Sequence, residues 1–162
     1  MLMNRWALLF TFMVLLCGSS TTAALAEEVP FTILPPAEVR HLERLCSRPG
    51  PGRISSGWDP TADQIAQAEA RLPGLVTAMG RPDRPFDEHY RQYLGVVIAG
   101  RRLIYVNLFP RMLVERPERF GGANDFWRTV FVRACDGGDA FWGVLFDPQT
   151  LRFSAPEFNG AI

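Results

Sequence analysis

The chain has 162 residues, 17 basic against 17 acidic side chains, and every basic residue is Arg. Hydrophobic residues at 48% with charged residues at 21% exclude a disordered chain. The even balance excludes a nucleic-acid binder or a membrane-surface protein held by bulk charge, and a chain this long needs no metal or dense disulfide framework to build a core.

Residues 1–26 read as an export signal. Arg5 gives a short positive start, residues 6–16 are an apolar run too short to span a bilayer, and Ala24-Leu25-Ala26 is a good cleavage site before Glu27-Glu28. No other segment has the ~18 apolar residues of a transmembrane helix. Removing the leader leaves 16 Arg against 17 acidic residues, a net of −1. Leu15-Leu16-Cys17-Gly18 is close to a bacterial lipobox, but Leu16 stands where a small residue precedes the cysteine. Soluble release to the periplasm or beyond is the expectation, and a lipid anchor at Cys17 the alternative.

Residues 27–57 are rich in Pro, Gly and Ser and read as an irregular N-terminal segment. Residues 36–45 form one short helix there, with Val39, Leu42 and Leu45 on one face; residues 47–57 read as loop. An α+β domain is expected over residues 58–162. Its main helix starts with Asp59 or Thr61 as cap, the latter with Gln64 three residues on as a capping box. Ile65, Ala68, Leu72, Leu75 and Met79 recur at helical spacing. Pro73 is expected to end or kink the helix, and Gly80 with Pro82 to close it.

Residues 90–99 and 102–109 predict a hairpin turning at Gly100-Arg101, with Ile98 opposite Leu103 and Val96 opposite Tyr105. Both faces are apolar, so one meets the helix and the other needs a cover: the N-terminal segment, a second layer or another chain. Residues 110–128 read as a long loop. Residues 129–135 and 140–146 predict a second hairpin through Asp136-Gly137-Gly138-Asp139, Asp147-Pro148-Gln149-Thr150 a type I turn, and residues 151–154 a last strand. The expected fold is one main helix on an antiparallel sheet of about five strands, hairpin plus meander, an arrangement similar to the cystatin-like architecture.

The cysteines left after leader removal, Cys46 and Cys135, are expected to form a disulfide. A nucleophilic Cys with His41 or His89 as base has no local signature. His41, Cys46, His89 and Cys135 match no zinc spacing, and turn chemistry accounts for Asp136, Asp139 and Asp147 without calcium. No cofactor motif is present. Tyr90, Tyr93, Tyr105, Trp127 and Trp142, with Arg111 and the Gly137-Gly138 turn, are the candidate binding surface, because aromatic and Arg side chains are enriched where proteins meet partners.

Cys135-Asp136-Gly137-Gly138, Phe141-Trp142-Gly143 and Phe158-Asn159-Gly160, with Trp58–Pro60 and Tyr90–Tyr93, carry a resemblance that covers most of the mature chain. The block resembles the C-terminal signature of small exported bacterial proteins of uncharacterised function. That resemblance implies no activity. The reading is a non-enzymatic binding or inhibitor-like protein whose partner is a protein or envelope ligand. Two rivals stand beside it: an envelope-directed hydrolase using His89 with Glu88 or Asp87, and a structural homodimer joined through the second hairpin face.

Overall fold

The computed structural model describes residues 30–80, 88–116 and 125–160. The leader, Cys17, Pro82 and Asp87 lie outside them. The fold is α+β, with a seven-stranded, mostly antiparallel sheet and one main helix. Its centre is the hairpin β3 (His89–Ile98) and β4 (Arg101–Pro110), extended by β5 (Trp142–Asp147) on the far side of β4.

Four short strands border this centre. β1 (Phe31–Ile33) runs parallel to the Arg91–Tyr93 stretch of β3, and β2 (Ile54–Trp58) runs antiparallel to its Gly95–Ile98 stretch. β6 (Arg152–Phe153) and β7 (Glu157–Phe158) both pair with β5. Residues 31–33 and 54–58 are therefore part of the sheet, which corrects the expectation of irregular chain at those positions. A short helix over Pro36–Arg44 and irregular chain over 45–53 lie between them as expected. The stretch ISSGW in β2 has a loop composition; the open edge of β3 makes it a strand, since strand formation follows pairing more than intrinsic preference.

The main helix, α1 (Ala62–Ala78), begins as expected: Thr61 Oγ1 accepts from Gln64 N–H, and Gln64 Oε1 accepts from Thr61 N–H. It continues through Pro73, contrary to an ending there. Pro73 sits on the exposed side, while Leu72, Leu75 and Val76 pack on the sheet across the turn that follows. Gly80 closes the segment at φ +64°.

The hairpin turns at Ala99-Gly100, one residue earlier than expected, with φ of 49° and 76°. Two positive φ values define a type I′ turn, which matches strand twist. Each residue's partner consequently shifts by two: Ile98 meets Arg101 and Val96 meets Leu103. A two-residue slip preserves the faces, because side chains alternate with period two.

One face of the hairpin, with Tyr93, Ile104, Val106 and Leu108, joins Trp142, Val144 and Phe146 under the helix residues Ile65, Ala68 and Leu72. Arg91 on this face lies against Glu69 of α1, with Nε and Nη2 at 2.7 and 3.0 Å from its carboxylate, and Tyr93 donates its hydroxyl to the same carboxylate. The opposite face, with Leu94, Val96, Leu103 and Tyr105, is covered by Leu34, Leu42 and Phe131. The cover is therefore internal. It comes from the 3-10 helix Pro36–Arg44, whose three-residue turns line up Val39, Leu42 and Leu45, and from the segment around Phe131. The apolar face that suggested a second copy of the chain is filled by the chain itself.

Candidate functional site

The expected strand over residues 129–135 does not form. Residues 129–137 instead make an irregular strap across the hairpin, following the short helix α2 (Met112–Glu115) and a 3-10 turn at Phe126–Arg128. Side chains, not a ladder, satisfy its backbone. Gln92 Nε2 donates to the carbonyls of Trp127 and Val130, at 2.5 and 2.7 Å. Gln92 Oε1 accepts from Val132 N–H at 2.8 Å, and Asn107 Nδ2 donates to Val132 O at 2.8 Å. Glu38 accepts from Phe131 N–H, and Asn159 Nδ2 donates to the carbonyls of Ala134 and Asp136. Arg48 completes the network, donating to Asn107 Oδ1 and Asn159 Oδ1. Unpaired buried backbone groups are costly, so four polar side chains, braced by Arg48, do here what a neighbouring strand does elsewhere.

The fold draws the candidate aromatic surface inward. Tyr90, Tyr93, Tyr105, Trp127 and Trp142 are all 3% exposed or less, so they form interior rather than surface. Tyr90 and Trp127 pack ring to ring at 4.6 Å under the strap's start, with Phe109 beside them. Tyr93 and Trp142 lie under α1. Arginines cap this interior from outside: Arg111 lies 5.4 Å from the Tyr90 ring and Arg128 4.5 Å from the Trp127 ring. Of the expected surface, Arg111, Gly137 and Gly138 keep access to solvent.

His89 is buried, with its ring 6.3 Å from that of Trp142, while Glu88 is exposed. Cys46 and Cys135 are joined in a disulfide, Cα to Cα 4.6 Å, across 89 residues of sequence. The bond ties the end of the Pro36–Arg44 helix to the strap.

A groove opens beside that bond. Its volume is about 600 Å³, and Leu113, Phe126, Val130, Val132 and Phe141 supply apolar walls. His41, Arg133, Asp136 and Gly137 stand among its polar and backbone lining. Gly137 is required twice: its φ is +93°, and a Cβ there would lie 2.6 Å from the Phe141 ring. The groove thus joins parts of the sequence-predicted loop and glycine turn.

A second recess of about 390 Å³ lies along β5, with Gly50, Tyr105, Gly143 and Glu157 in its lining. Burial pushes the Tyr105 phenol up, opposed by the nearby Arg48 guanidinium, and burial likewise raises the Glu157 carboxyl against the pull of Arg48. Gly143 has no side chain because the Tyr105 hydroxyl occupies that space.

The strap network has no local sequence motif. Gln92 and Asn107 are interior positions by alternation, and that polar pair at the heart of an apolar hairpin was the signal available. Among the described residues, no three His, Cys, Asp or Glu side chains gather as a metal set, and no helix is long and apolar enough to cross a membrane. Comparison with family models, curated proteins and solved structures returned no match.

Proposed function

We propose that this is a small exported binding protein, inhibitor-like in scale, whose ligand site is the groove between the strap and α2. The observation that carries the reading is the groove itself: about 600 Å³ of mainly apolar space, walled by Leu113, Phe126, Val130 and Phe141. Ligand sites are concave, largely apolar and preformed, with a few polar groups at defined places. The strap that walls it is held by a disulfide and a buried amide network, which fixes the walls before a ligand arrives.

Export fits the same picture. A disulfide persists in oxidising compartments, and residues 1–26 have the layout of a cleaved leader. Release after Ala26 gives a soluble protein, and a Cys17→Ser variant that fractionates as the parent supports release over an anchor.

The groove is tested with N-phenyl-1-naphthylamine, an uncharged apolar fluorophore. Its emission is expected to rise with the protein and to lose that rise in Val130→Asp, which puts a charge on an exposed wall residue. An equal rise in both proteins overturns the groove as the site.

A further inference from the structure

The apolar groove does not end at His41 and Arg133. Both residues also line an adjoining recess of about 360 Å³, whose other walls are Arg40, Glu43 and Arg44. The two spaces differ in character. The first is apolar; the second sets three guanidinium groups against one carboxylate. Arg40 is engaged, with Nη2 3.3 Å from Glu38 Oε1. Among the described residues, neither Arg44 nor Arg133 forms an ion pair. At the junction, His41 stacks flat on Phe131, centroids 6.1 Å apart and planes 3° apart, making a continuous wall from one recess into the other.

We propose that the site takes a single-chain fatty carboxylate, with its acyl chain in the groove and its head group between Arg44 and Arg133. The inference rests on the groove being a ligand site and adds the ligand's class. Apolar burial drives the chain into the groove. The planar forks of Arg44 and Arg133 match a carboxylate's two oxygens, and arginine's weakly hydrated charge loses less on pairing than lysine's. Asp136, which also lines the apolar groove, disfavours a carboxylate seated within the groove itself. An uncharged chain gains only the first term, and a short carboxylate only the second.

The test uses the full protein and two probes: dansyl-undecanoate, which carries a free carboxylate, and N-phenyl-1-naphthylamine, which carries no charge. Dodecanoate is expected to displace the first. An Arg44→Gln, Arg133→Gln double variant is expected to weaken dansyl-undecanoate by about tenfold more than it weakens the uncharged probe. Both residues are exposed, so a thermal melt equal to the parent's is expected to accompany this result. If both probes bind and the double variant treats them alike, the head-group site is overturned while the groove stands. If neither probe binds the parent, the groove reading falls and this inference with it.

Discussion

Gln92 and Asn107 are register partners on β3 and β4, and their amides form a 3.0 Å hydrogen bond that turns the sheet's buried face into an anchor for the strap. Between them the two side chains make contacts with Trp127, Val130, Val132 and Arg48. Every donor hydrogen on both amides is used. The groove exists because this pair holds a segment that has no strand to lean on.

Gln92→Leu is accordingly expected to lower stability by about 3 kcal/mol, since it strands the Val132 N–H and two strap carbonyls in the interior. Chemical denaturation gives the value. The Gln92→Leu, Asn107→Leu double variant is expected to fall short of the sum of the single variants, because both remove one network. Additive losses would show two independent anchors.

Replacing both Cys46 and Cys135 by Ser releases an 89-residue separation in the unfolded chain. The expected loss is about 4–5 kcal/mol on the chain-entropy scale. Mass spectrometry with a thiol label should find neither cysteine modified before reduction and both modified after it. Both are exposed, so access does not limit the reaction.

The hairpin turn carries an alanine at φ +49°, where L residues other than Gly, Asn and Asp are disfavoured. Ala99→Asn should raise stability by about 1 kcal/mol, read as a higher melting temperature. Gly95→Ala should do the opposite, and by more. A Cβ at Gly95 meets the Trp58 carbonyl of β2, a backbone atom that no side-chain rotation moves aside.

Asp147 closes the turn from β5 to β6, accepting from Gln149 N–H at 2.9 Å and Thr150 N–H at 3.4 Å, with Arg101 beside it. Burial opposes its charge, yet these hydrogen bonds outweigh burial and hold the carboxyl below its usual value. A lowered folded value means that the ionised group stabilises the fold above the ordinary carboxylate range, and that this is lost as pH falls through the folded value. Asp147→Asn keeps the turn's acceptor and removes the charge. The variant should be about 1 kcal/mol less stable at neutral pH, given how exposed Arg101 is. The gap should close below about pH 4, measured by paired denaturation curves. A constant gap would place the effect in the turn geometry.

Much of the molecule was legible from local chemistry. Thr61 and Gln64 announced the helix start, the repeat Ile65, Ala68, Leu72 its buried face, and the alternation of residues 93–108 a hairpin with two apolar sides. The turn was misplaced because Gly100 suits either position of a tight turn. Gln92 opposite Asn107 is what distinguishes the registers: the shifted pairing would set each amide against an apolar partner, and only the observed one lets them satisfy each other.

By itself, the sequence determined the fold class, the cysteine pairing, the buried face of the main helix and the need for something to cover the hairpin's second face. The cysteine pairing follows from there being two cysteines after the leader, and the rest from period and composition, which act over a few residues. The tertiary structure alone decided what the cover is. Residues 31–33 and 54–58 become strands only because β3 offers an edge, and residues 129–137 stay irregular only because Gln92, Asn107 and Asn159 satisfy their backbone. The aromatics that looked like a binding surface went to the interior for the same reason: a sheet with two covered faces has room for them. The groove opens where that irregular cover meets α2.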